Sequence, residues 1–252
     1  MDTKFQRQTA PGITKIAILS GTGRVFYGIS IAAMGLITLY YRDFPYMLIP
    51  PDRSWIGSHV IWVYVSGALL FLAGACIVLD RKRVSLLLGI VLLLIFCFYF
   101  IPYELVVSPD HRHFWDWENA AKELTLAGGA LAIAGRRPWG PAIFALTIVS
   151  FATDHFLYAQ QAAGYIPSWI SNHLFWMYLT GAALFASGAA ILLGIKRRLA
   201  AALLGTMIFI WVVILHIPKA LAAPLATNEG EVTSGFLALA YCGIAFFIAG
   251  YD

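Results

Sequence analysis

Charge is scarce in this chain: Asp, Glu, Lys and Arg make up 12% of its 252 residues, against 60% hydrophobic residues and a mean hydropathy of +0.77. A water-soluble domain could not hide so much apolar surface, so the solvent is lipid. Cysteine is nearly absent, and Cys76, Cys97 and Cys242 stand alone inside apolar runs with no C-x-x-C pair. That argues against thiol–disulfide chemistry. The chain also lacks a phosphate loop, a nucleophile elbow, an H-E-x-x-H motif and a dinucleotide fingerprint. It lacks the alternating segments of about ten residues that a membrane barrel needs. No apolar stretch followed by a small-residue cleavage site opens the sequence, so no cleaved signal peptide is expected.

What is present is a series of long apolar runs, each near the ~20 residues that cross a bilayer as a helix. They predict eight transmembrane helices, at about 25–41, 57–79, 84–104, 118–135, 141–160, 171–193, 198–218 and 232–250. The net charge of +4 comes from basic residues in the short loops between runs, which positive-inside topology explains without a nucleic-acid partner. Twelve of the seventeen Lys and Arg residues fall on one side, in the N-terminal segment and at Arg81-Lys82-Arg83, Arg136-Arg137 and Lys196-Arg197-Arg198. Arg42, Arg53, Arg112, Lys122 and Lys219 fall on the other. The asymmetry puts both termini in the cytoplasm of a bacterial or archaeal cell, with residues 105–117 and 219–231 outside.

The most specific signal is internal repetition. Trp55–Leu79 (WIGSHVIWVYVSGALLFLAGACIVL) matches Trp169–Leu193 (WISNHLFWMYLTGAALFASGAAILL) at an offset of 114, with thirteen of 25 positions identical. The correspondence resumes at offset 116, where Gly89 aligns with Gly205 and Ile101-Pro102 with Ile217-Pro218. The chain therefore divides into a cytoplasmic segment 1–23, a first four-helix repeat 24–137 and a second 138–252. Four is even, so the two repeats run parallel and are related by a pseudo-twofold axis along the membrane normal. Gly67, Phe71 and Gly74, matched by Gly181, Phe185 and Gly188, form stripes for close helix packing.

On this topology every histidine lies in the outer half, together with Glu104, Asp116, Glu118, Lys122, Glu123 and Asp154. Ionisable groups at helix ends are commonly interfacial. Lys122-Glu123 and Asp154-His155 lie about a turn inside their spans, where charge pairs or lines a cavity. Trp55, His59 and Trp62 share one helix face, as do Trp169, His173 and Trp176. These are an aromatic belt with histidine at headgroup depth, or else a ligand site. In the second case the candidate residues are His59, Trp62, Glu123, His155, His173, Trp176 and His216. A quinone headgroup or a bis-histidine haem would suit such a site. The arginine inside His111-Arg112-His113 disfavours a metal there, and no metal set is expected.

The pattern W-I-x-x-H-x-x-W-x-Y-x-x-G entering the second helix of each repeat, with Lys122-Glu123-Leu124 and LAGGALAIAG in the fourth, resembles the DoxX-like membrane proteins over residues 24–250. The namesake of that family belongs to a thiosulfate:quinone oxidoreductase, and a distant relative resembles a receptor-assembly chaperone. The family pattern is usually a single four-helix unit, so duplication is a departure. The second repeat is also apolar near Leu237 and Ala238, where Lys122-Glu123 would recur. The leading expectation is a non-catalytic accessory or assembly component acting with another membrane subunit. The alternatives are a quinone- or lipid-linked redox or ligand-binding component, and a small-solute transporter. An enclosed outer cavity would favour ligand binding over the accessory role, and a continuous polar path to the cytoplasm would favour transport.

Overall fold

The computed structural model describes residues 11–45, 47–50, 59–109, 112–223 and 230–251, with the side chains of 11–17, His59 and Trp115 set aside. His111, Trp55 and Arg53 lie outside the described residues. All regular structure among the described residues is helical: α1 Pro11–Tyr41, α2 His59–Val78, α3 Lys82–Ile95, α4 Glu118–Ile133, α5 Trp139–Leu157, α6 Ala159–Ala163, α7 His173–Leu193, α8 Arg197–Trp211, α9 Ile217–Ala222 and α10 Glu231–Tyr251. With their π-helical continuations, seven of these helices are long and apolar enough to cross a membrane. Side chains such as Leu69 (60% exposed) and Phe98 (77%) stand on the outer surface, where water would penalise them and lipid does not. The chain is thus an all-helical, multi-pass integral membrane protein in contact with lipid. Helix α1 begins at Pro11, well before residue 25, so part of the segment assigned to the N-terminal tail is helical.

The remaining expected span, 118–135, corresponds to α4, but at 16 residues and with Glu118, Lys122 and Glu123 this helix is neither as long nor as apolar as the seven. Its position explains its composition. Every residue from Thr125 to Ile133 is buried in protein, so this helix has little need of a lipid-compatible surface. Helices α1, α5 and α10 bury 50%, 44% and 56% of their most apolar windows, whereas α2 and α8 bury 22%. The centre of the molecule is therefore α1, α4, α5 and α10, flanked by α2, α3, α7 and α8.

Contacts in the two halves pair off. Helix α1 packs on α2 as α5 packs on α7, α3 on α4 as α8 on α10, and α1 on α10 as α5 on α4. The flanking contacts rely on glycine: a Cβ on Gly74 would meet the Ala32 backbone nitrogen of α1 at 2.3 Å, and one on Gly188 would meet the Ala145 carbonyl of α5 at 2.9 Å. At the centre, Tyr27 of α1 donates its hydroxyl to the Leu126 carbonyl of α4 at 2.7 Å, with both residues fully buried.

Both flanking pairs also break helical regularity at equivalent places. After α3 comes a π-turn, Phe96–Phe100, and after α8 another, Val212–His216, an offset of 116 (212 less 96). In each, the next amide reaches back five residues, Ile101 to Phe96 and Ile217 to Val212. The cause is the proline directly after that amide, Pro102 or Pro218, which has no N–H to give the carbonyl four residues before it. A second π-turn, Tyr103–Val107, extends α3 further.

The basic residues gather at one end of the bundle. Arg24 of α1 donates to the carbonyls of Ile77 (2.9 Å) and Val78 at the end of α2 and stands 3.6 Å from Asp80. Arg137, just past α4, donates to the Tyr251 carbonyl at the end of α10.

Candidate functional site

At the end opposite the basic loops, the helix ends enclose a cavity of about 830 Å³. The start of α4 supplies Glu118, Asn119 and Lys122, and the end of α5 supplies Asp154 and His155. Glu104 comes from the π-turn extending α3, His216 and Lys219 from the end of α8 and from α9, and Glu231 from the start of α10. Below this polar collar the walls are apolar, with Phe151, Met177, Trp211 and Leu237 leading to Ile148, Leu184 and Ile208 at the base. Rim residues Pro109 and Asp116 are more exposed than the buried base, so the cavity opens toward its polar end.

Two π-turns carry polar groups that line this space. Each adds about one residue to the local turn and rotates the downstream helix by roughly 100° relative to a continuous α-helix. His216 is the last residue of one such turn and Glu104 sits within another. Both line the cavity.

Many of the collar charges are paired. Lys122 Nζ lies 3.0 Å from Glu118 and 3.4 Å from Asn119 Oδ1, and Lys219 Nζ lies 3.5 Å from Glu231 and 4.9 Å from the centre of the Tyr165 ring. His216 Nδ1 stands 3.6 Å from Glu231, close enough for an ionic contact but outside hydrogen-bond length. His155 Nδ1 lies 2.7 Å from the Phe151 carbonyl. A carbonyl can only accept, so Nδ1 holds the proton there, and in the neutral form of the ring Nε2 is an acceptor. Two carboxylate atoms are left over: Glu104 Oε2 and Asp154 Oδ1 are buried without a hydrogen-bond partner.

The residues singled out from sequence are dispersed by the fold. His155 and His216 line the cavity. Glu123 is fully buried and does not, and neither of its oxygens has a hydrogen-bond partner. Trp176 stands one layer behind the wall, packed on Ala159, Ala163, Ile166 and Met177, whereas Trp62 is 56% exposed on the outer surface. His173 is partly exposed at the start of α7, and the side chain of His59 lies outside the described residues. Glu104, Asp154, Glu118 and Lys122, already placed at the outer helix ends from sequence, line the cavity with Lys219 and Glu231. Their signal was there in the sequence: ionisable residues at the same helix ends as the histidines, two of them within three residues of one. Among the described residues no three His, Cys, Asp or Glu side chains converge as a metal set would.

No protein-family model, curated protein or solved structure matches the chain. The site is therefore read from its own chemistry.

Proposed function

We propose that this protein binds a lipid-soluble small molecule in the cavity at its outer side. The observation that carries the reading is the cavity itself. Its ~830 Å³ falls within the ~300–1,000 Å³ of small-molecule sites, and its apolar base under a few convergent polar groups suits an amphiphile. A protein that only holds or assembles a partner needs helices and surface but no such space, so the accessory role is the weaker reading. Transport is weaker still, because the base at Ile148, Leu184 and Ile208 offers no polar continuation toward the basic end.

The proposal includes the membrane arrangement. Two parallel four-helix halves, eight spans and cytoplasmic termini are supported by the paired helix contacts, by the π-turns at offset 116, and by the clustering of Arg24, Arg137 and the ends of α2 and α10 at one face. Helix α4 supports the count of eight: its first turn lines the cavity at one end, and the residue four beyond its last meets Tyr251 at the other. The DoxX-like kinship remains part of the proposal and rests on the repeated Trp-His-Trp-Tyr motif.

The test is extraction of the purified full chain with organic solvent, followed by mass spectrometry. One lipid-soluble species near one equivalent is expected, and Ala238→Phe, which fills the cavity from α10, should lose it without a change in unfolding midpoint. Equal recovery from both proteins would sink the proposal.

A further inference from the structure

The cavity holds unpartnered polar groups of both kinds, the Tyr241 hydroxyl among them, but its carboxylates are in excess of its cations. Its carboxylates, Glu104, Asp116, Glu118, Asp154 and Glu231, outnumber its amines, Lys122 and Lys219, and both amines are already held, by Glu118 and Glu231. Asp116 stands 3.9 Å from His113. Glu104 and Asp154 have no cation within ion-pair distance among the described residues. Glu104 is 4% exposed, and although Ser108 is within hydrogen-bonding reach of its carboxyl group, Oε2 has no partner. Asp154 Oδ1 is likewise buried and unpartnered, with Lys122 near enough to be felt but in contact with Glu118. In its neutral form His155 adds a third acceptor, Nε2, because Nδ1 donates to Phe151.

Buried acceptors without donors are costly, and a ligand that supplies the donors recovers that cost. A quinone carbonyl brings no donor to Glu104 or Asp154, and an anionic head such as a phosphate would meet unpaired carboxylates. A hydroxyl brings one donor and no charge, and a quaternary ammonium brings charge and no donor. A primary ammonium brings three N–H donors and a positive charge.

Resting on the ligand-binding reading above, we propose that the ligand of this cavity carries a primary ammonium group on an apolar chain, with the ammonium held by Glu104 and Asp154 and the chain lying on Ile148, Leu184 and Ile208. The aromatic walls at Phe151 and Trp211 suit the cationic head as well as the chain.

The test uses the full chain in phosphatidylcholine nanodiscs, with tritiated dodecylamine as the probe and empty discs to subtract partitioning. Saturable binding near one equivalent is expected. Dodecanol and dodecyltrimethylammonium should compete about tenfold more weakly than unlabelled dodecylamine, and dodecanoate more weakly again. Glu104→Gln and Asp154→Asn should each weaken binding by about tenfold or more, in protein whose unfolding midpoint is retained. Adding phosphatidylethanolamine to the discs separates two sources of the same chemistry: reduced dodecylamine binding assigns the ammonium to a lipid headgroup, and unchanged binding assigns it to a free single-chain amine. If dodecanol competes as well as dodecylamine, the ammonium assignment is overturned while the cavity remains a ligand site. If none of the four amphiphiles binds saturably, both readings fail together. The competition series needs only the wild-type chain, so it decides even if the variants do not fold.

Discussion

Arg137, just beyond α4, donates a hydrogen bond to the backbone carbonyl of Tyr251, 114 residues later, and its guanidinium lies 4.2 Å from the centre of the Tyr251 ring. This one contact brings the far ends of the two central helices α4 and α10 together. It also satisfies a carbonyl at a helix C-terminus with a cation, the favourable sense for the helix dipole. The contact sets these ends of α4 and α10 at the same depth.

That depth is open to chemical test. In a chain whose native cysteines are replaced, Arg137→Cys with Tyr251→Cys should cross-link through a short bifunctional reagent. Each single cysteine should label only from the cytoplasmic side, and Arg112→Cys only from outside. Labelling of residue 112 from the cytoplasm would reverse the orientation argued from the basic loops.

Glu123 predicts an unusual gain. It is fully buried, and neither carboxyl oxygen has a hydrogen-bond partner. Replacing such a group by an apolar side chain of similar size removes an uncompensated desolvation cost. Glu123→Leu should therefore stabilise the protein by about 1–3 kcal/mol against denaturant in detergent. A loss of stability would mean that the carboxyl group has a partner in the folded protein.

Two glycines in α1 and α2 should respond oppositely to the same substitution. A methyl group on Gly74 would stand 2.3 Å from a backbone nitrogen of α1, which a rotamer change cannot relieve, whereas one on Gly21 meets nothing within 4 Å. Gly74→Ala should cost about 1–3 kcal/mol or prevent folding, and Gly21→Ala should stabilise by about 0.5–1 kcal/mol through helix propensity. Thermal unfolding in one detergent compares the two directly. Equal effects would show that α1 and α2 do not pack as closely as described.

Tyr27 offers a milder probe of the central contact. Tyr27→Phe keeps the ring between α1 and α4 and deletes only the 2.7 Å hydrogen bond to Leu126, so a loss of about 1 kcal/mol is expected. No change in the denaturation midpoint would place that hydroxyl outside the stabilising contacts.

The sequence by itself determined the helical class, the lipid setting and, to within a few residues, where helices such as 171–193 and 84–104 lie. Hydropathy and length depend on composition along the chain and can be read without knowing neighbours. The repeated motif is likewise legible in the sequence alone. Which side chains meet was decided only by tertiary structure. Trp62 and Trp176 occupy matching places in the motif, yet one faces outward and the other packs behind the cavity wall against α6. Glu104 and His216 line the cavity from π-turns, and hydropathy carries no record of where such turns fall. Lys122 and Glu123 are neighbours in the chain, but a helix turns about 100° between them, so one lines the cavity and the other is sealed in the core.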